Sequence, residues 1–176
     1  MTGLDVDDLV ARLRAAPTVH AVHEEVERAV RLDPTGVLDD EAGLHLLHRS
    51  DELTVLHVVL PPGYAPTLPH DHRMWAVVGL FAGREDNEFF RSTGAGPELE
   101  LSGGRSLRAG DVLAMGAETV HAIANPSAGA TSALHVYGGD LLAAERSMWR
   151  RDPWRREPYD AEGATGTTVR PVPPGA

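Results

Sequence analysis

Two histidines one residue apart open the stretch LPHDHRMWAVVGLF: His70 and His72, directly after Pro69. On an extended chain, side chains alternate between faces, so an i, i+2 pair points one way and can share one ion. A pair of loop histidines is the competing reading, and HxH alone is a weak signal. A second segment strengthens it. In GDVLAMGAETVHAIAN, Gly110 precedes an apolar strand and a tight turn, and His121 and Asn125 follow. A third segment, TSALHVYGGD, sets His135 and Tyr137 two residues apart on one face, as core residues with hydrogen-bonded tips or as a proton relay. His57 sits in an apolar strand and reads as structural. His20 and His23, at i, i+3 on a helix with no further ligand nearby, read as exposed.

The histidines stand out because of what the 176 residues lack. There is no cysteine, which removes disulfides, thiolate ligands and a cysteine nucleophile. All 16 basic residues are arginine, which removes lysine Schiff-base chemistry, and glutamine is absent too. A net charge of -10 argues against nucleic acid or an anionic membrane as partner, since both need a basic face. The nearest such feature is Arg146, Arg150, Arg151, Arg155 and Arg156, interleaved with Trp149 and Trp154. That cluster could grip an anion; the plainer expectation is a C-terminal arm pairing with the protein's own acidic surface.

Ordinary proportions of apolar (42%) and charged (24%) residues suit one globular domain with a real core. No apolar stretch approaches the about 18 residues that span a bilayer. The acidic start MTGLDVDDLV is unlike a signal peptide, so a cytoplasmic location is expected. Two helices should open the chain. Val6, Leu9, Val10 and Leu13 recur at helical spacing after Asp5; Val19, Val22, Val26 and Val30 do so after Thr18, with Glu24/Arg28 and Glu27/Arg31 at i, i+4. From about residue 43 short β-rich runs follow, at 53–60, 74–81, 85–91, 98–102, 111–115, 119–125 and 131–138. The turns between them include Gly103-Gly104. Such spacing predicts an antiparallel sandwich or barrel. From about residue 160 the chain reads as an extended or disordered tail. The expected organisation is a helical segment (1–36), a barrel with the metal site (37–145) and a C-terminal arm (146–176).

Together the two histidine segments resemble the two cupin motifs, which the chain matches at Gly63, His70, His72 and Gly83, then at Gly110, His121 and Asn125. Gly116 and Glu118 replace the proline and glycine of the second motif's turn. The resemblance spans roughly residues 45 to 140 and implies a mainly β fold, the cupin double-stranded β-helix or jelly-roll barrel, preceded by two N-terminal α-helices. The cupin glutamate ligand would fall at Ala76 or Val77; Glu85 and Glu88 lie on the next strand. The implied ligand set is therefore His70, His72 and His121 alone. Three imidazoles leave up to three open positions and suit Fe(II), with Zn, Ni or Cu also compatible with this ligand type.

A three-histidine set is similar to that of the thiol dioxygenases, typified by cysteine dioxygenase, and so is the HDH phrase. That family carries Ser-x-His-x-Tyr on a late strand; His135 and Tyr137 match, while Ala133 replaces the serine, Ser132 faces away, and water or Thr131 would complete the relay. The family's tyrosine-linked cysteine has no counterpart. Nor does its carboxylate-binding arginine: His45, His48 and Arg49 do not match in spacing, and alternation turns Arg73 away from the ligands. Met74, Ala76 and Val78 should face the pocket and Trp75 the outer side. The resemblance thus implies a mononuclear Fe(II) dioxygenase that adds both atoms of O2 to the sulfur of a small thiol carboxylate, as a monomer or homodimer. Carbon–carbon cleavage of a β-diketone type and a non-enzymatic metal- or small-molecule-binding cupin are the alternatives.

Overall fold

The computed structural model describes residues 3–166 and 169–171. Helices α1 (Val6–Ala15) and α2 (Val19–Ala29) begin where their caps demand. Asp5 Oδ1 accepts the Asp8 N–H at 3.0 Å, and Thr18 Oγ1 accepts the Ala21 N–H at 3.1 Å. The ion pairs along α2 differ from expectation. Glu24 and Glu27 meet His20 and His23 rather than arginines, and Arg28 turns to Glu25, which also meets Arg12 of α1. Leu9, Leu13, Val22, Val26 and Ala29 are buried on the face that covers the sheet. Among the described residues, no helix is long and apolar enough to cross a membrane.

Twelve strands follow: β1 (Gly43–Arg49), β2 (Thr54–Val59), β3 (His70–Asp71), β4 (Ala76–Ala82), β5 (Arg84–Ser92), β6 (Leu99–Arg108), β7 (Val112–Met115), β8 (Val120–Ala124), β9 (Ser132–Tyr137), β10 (Ser147–Arg150), β11 (Arg155–Pro158) and β12 (Val169–Pro171). They form two 6-stranded sheets, ordered β12-β1-β2-β9-β4-β7 and β11-β10-β3-β8-β5-β6. All pairings are antiparallel except β12 with β1. Along the chain the strands pass from one inner quartet, β2-β9-β4-β7, to the other, β3-β8-β5-β6, at every step except the β5-β6 hairpin, which is jelly-roll order. The fold is a cupin double-stranded β-helix behind two N-terminal helices.

The first sheet is buried on both faces, which explains why its strands read as continuous apolar runs. Val55, Val77, Leu134 and Val136 pack under the helices, with Trp75 beside them. Leu56, Val58, Ala76, Val78 and Tyr137 fill the barrel, with Met74 at their edge. The expected division of Met74, Ala76 and Val78 from Trp75 is therefore observed.

Elsewhere the strand boundaries needed tertiary contacts. β1 was not predicted because a register shift between Leu46 and His48 breaks its alternation. Gly103-Gly104 is no turn: β6 runs through it, paired with β5 along its length. A Cβ at Gly104 would stand 3.1 Å from the Asn87 carbonyl oxygen, so glycine here admits a close backbone approach rather than a bend. The stretch after 160 is not wholly a tail. Asp160 caps α3 (Ala161–Thr165), whose Ala164 is buried, and β12 joins the sheet edge beside β1. The remainder of that expectation, at 167–168 and 172–176, lies outside the described residues.

Helix α2 crosses β4 at Gly79. A Cβ there would come 2.5 Å from Val26 Cγ1 and 2.8 Å from Val30 Cγ1. Gly79→Ala is expected to destabilise the protein by about 1–3 kcal/mol, read as a lower Tm with the far-ultraviolet spectrum unchanged.

On the same face as Val55, His57 Nε2 meets Ser132 Oγ at 2.8 Å, and its ring lies 5.8 Å from that of His45. Burial, then the neighbouring His45, lowers its pKa to about 4. The unfolded chain binds this proton near pH 6.5, so the stabilising contribution of neutral His57 is complete above that pH. It is lost as pH falls towards 4. His57→Asn should lessen the loss of stability between pH 6.5 and 4 by on the order of 3 kcal/mol in denaturant titrations. An unchanged pH slope would contradict this assignment.

Candidate metal centre

The centre is built from two strands of one sheet and the link that leaves it. β3 and β8 pair with His70 directly opposite His121, and their rings lie 4.8 Å apart. β3 ends at Asp71, so His72 is placed by a turn and not by strand alternation as expected. The turn follows at Arg73, whose φ of 59 lies in the left-handed region. The Arg73 side chain does point away, towards Glu118 at 3.7 Å. His72 swings back until its Nε2 is 3.3 Å from that of His121. The candidate ligand atoms of His70, His72 and His121 all lie within 4.8 Å of one another, and all three residues are buried.

The three donors are prepared for a cation. Burial lowers the pKa of all three imidazoles, His70 to about 4 and the other two well below the usual histidine value. They are therefore neutral at ordinary pH, the form that ligates metal. Their tautomers are set from behind. The Leu68 carbonyl lies 3.0 Å from His70 Nδ1, so this nitrogen carries the hydrogen and Nε2 keeps its lone pair. Asn87 Nδ2 donates to Glu85 Oε1 at 3.0 Å, which turns its Oδ1 towards His121 Nδ1 at 2.9 Å. That contact requires a hydrogen on Nδ1 and leaves His121 Nε2 as a lone pair also. The Nδ1 of His72 is buried with no partner among the described residues, and its ring is held by packing 4.9 Å from that of Tyr137. Convergent neutral nitrogens of this kind fit a divalent metal of the imidazole-binding series.

Behind the histidines lies a chain of buried groups. His135 and Tyr137 enter the barrel from β9, in the opposite sheet, and His135 Nδ1 is 3.1 Å from Tyr137 Oη. The other ring nitrogen meets Glu85 Oε2 at 3.3 Å. Neither Thr131 nor Ser132, expected as its possible completion, joins this chain of contacts. Thr131 Oγ1 accepts the Leu60 N–H, and Ser132 faces His57. Glu85, wholly buried, does join it, and through Asn87 it connects back to His121. Burial raises the pKa of the Tyr137 phenol, which keeps it protonated.

Sequence reasoning set Glu85 aside because it is not at the glutamate position of the cupin motif; its spacing from Asn87, two residues along one strand, was the available signal. Asn125, which the second motif singled out, is structural. Its amide donates to the carbonyls of Leu60, Pro61 and Gly129, and its oxygen accepts from Ser127.

No protein-family model matches the chain. Among solved structures it is similar to an RmlC-like cupin family protein with a double-stranded β-helix fold from Methanocaldococcus jannaschii. The TM-score is 0.47 and the identity 12%, over 59% of this chain and 85% of that one. A second is an uncharacterized conserved protein with a double-stranded β-helix domain from Klebsiella pneumoniae, with TM-score 0.45 and 16% identity over 64% and 84% of the two chains. A third is an oxalate oxidase in complex with the substrate analogue glycolate, with TM-score 0.41 and 19% identity. It covers 50% of this chain, which spans 42% of the oxidase.

Asn87→Leu removes the group that orients His121 without touching a ligand. Its expected effect is a loss of metal affinity of about ten- to hundredfold in chelator competition, whereas His121→Ala abolishes stoichiometric binding. Retention of wild-type affinity in both variants would remove His121 from the centre.

Proposed function

We propose that the protein is a mononuclear Fe(II) dioxygenase that oxidises the sulfur of a small thiol carboxylate to a sulfinate. What supports the reading above all is a donor set of three neutral histidines with no carboxylate among them, next to a buried tyrosine backed by its own relay. Fe(II) at His70, His72 and His121 would bring thiolate and O2 together and lower the thiol pKa. In the balanced reaction the sulfur gains both oxygen atoms, O2 is the oxidant and the thiol proton must leave.

The relay has the atoms to take that proton. Tyr137 Oη receives it from the thiol and passes its own to His135 Nδ1, and His135 passes the Nε2 hydrogen to Glu85 Oε2. Ala76 and Val78 share an apolar cluster with Tyr137, with Met74 packed at its edge, and such surroundings would keep bulk water from the reacting groups. The substrate and O2 are the partners of this reading, which places the protein in the cytoplasm as a monomer or homodimer.

The test is anaerobic reconstitution with Fe(II), followed by oxygen uptake and product analysis over thiol carboxylates, β-diketones and oxalate. One O2 consumed per sulfinate formed, lost in His121→Ala, is the expected result. Uptake with diketones or oxalate alone would replace the reading with that chemistry. Metal binding without uptake on any of them would point to a non-enzymatic role. Within the first outcome, Tyr137→Phe and Glu85→Gln should each lower kcat by about a hundredfold or more while leaving iron content unchanged.

A further inference from the structure

The arginines of the C-terminal arm were expected to pair with the protein's acidic surface, and among the described residues they do not. Arg150 and Arg155 meet Glu157 within the hairpin itself. Arg151 lies over Phe90 and Trp154, and Arg156 over Trp149. A buried polar atom is left over elsewhere, on the outer face of the first sheet, where the pairing of β1 with β2 sets His45 directly opposite His57.

Opposed positions on neighbouring strands bring two side chains of one face together, and these two buried rings lie 5.8 Å apart. Ser132 of β9 engages His57 Nε2 on the side of β2 away from β1. The other nitrogen, Nδ1, is buried with no partner among the described residues. With Nε2–H donating to the hydroxyl, that nitrogen carries a lone pair. His45 is set likewise. A carbonyl only accepts, so the 2.8 Å contact of His45 Nε2 with the Glu41 carbonyl puts the hydrogen on Nε2. Nδ1 of the neutral ring then presents a lone pair to Asp39 Oδ2, 3.9 Å away. Two electron-rich atoms face each other there with no hydrogen between them, an arrangement that a cation relieves. The carboxylate is held for this. Asp39 Oδ1 accepts the Glu41 N–H at 2.9 Å, which leaves Oδ2 to His45, and Arg170, opposite His45 on β12, pairs with Glu41. Asp39 is exposed, so an ion can reach the cluster from solvent.

We propose that His45, His57 and Asp39 form a second metal site, outside the centre, which takes a divalent cation such as Zn(II) and pins the loop before β1 to the sheet. Two imidazoles and one carboxylate suit Zn(II), with water in the fourth position. On one tetrahedral ion two imidazole ring centres stand roughly 5.2 Å apart, so the rings need to approach by only about half an ångström. Among the described residues only the centre has three ligand atoms already within 4.8 Å of one another. The second site therefore closes on its ion and binds it more weakly. It is independent of the reaction at the centre.

Calorimetric titration with Zn(II) near neutral pH separates the two sites. Wild type should take up one tight equivalent and then a weaker one. His121→Ala should lose the tight phase and keep the weak one, while His45→Ala and His57→Asn should do the reverse. Asp39→Asn keeps the Oδ1 acceptor at an exposed position, so it tests the site even where a buried-histidine variant fails to fold. It should weaken the second phase about tenfold or more, at least what the loss of an outer-shell partner costs, and leave the first unchanged. In the His121→Ala background Zn(II) should raise Tm, and adding His45→Ala should remove that rise. A single equivalent in wild type with none in His121→Ala would overturn the proposal. So would a weak phase that survives all three substitutions, which would belong to other residues, such as His20 and His23 of α2.

Discussion

A wholly buried carboxyl group is costly unless every oxygen finds a partner, and Glu85 sits inside the barrel with no exposure at all. Its partners come from two places: Asn87 on its own strand and His135 from the opposite sheet. Satisfying it therefore ties the sheets together at one level. Each partner has a second task, because Asn87 orients His121 and His135 meets the Tyr137 hydroxyl. One buried acid thus bears on both the tautomer of a candidate ligand, through Asn87, and the position of the His135 ring beside Tyr137. Partial satisfaction would be worse than an apolar core here, so the network is all or nothing.

The same logic explains why the centre is assembled from so little regular structure. β3 contributes two residues, His70 and Asp71, and the chain leaves the sheet at once. His70 gains its position from pairing with His121, while Asp71 faces the other way and takes the Ser147 N–H. Alternation along two residues therefore does two jobs, one inward to the histidines and one outward to the C-terminal hairpin. The hairpin in turn covers the strand edge that β3 would otherwise expose.

Local sequence carried much of the fold. The caps at Asp5 and Thr18 and the heptad-like spacing of valines marked both helices within a residue or two, and most barrel strands lay where apolar runs met turn glycines. The failures share a cause. β1 carries a bulge, β6 tolerates two glycines because β5 supports it, and the stretch after 160 is ordered by contacts with Leu68 and β1. None of these supports is adjacent in the chain, so no local period could reveal them.

By itself the sequence determined which chemistry was available: nine histidines, no cysteine and no lysine, with His70, His72 and His121 in spacings that a sheet converts into convergence. What stands around them follows from contacts between residues far apart in the chain. Glu85 and His135 are 50 positions apart, and Asn87 and His121 are 34. Tyr159 comes within 5.5 Å of the His70 ring through a hairpin whose first strand pairs with a two-residue stub. Side-chain type and periodicity are properties of neighbours along the chain. The partner of a buried polar group is a property of two sheets closing on each other, and that closure placed Glu85 between His135 and the Asn87 that meets His121.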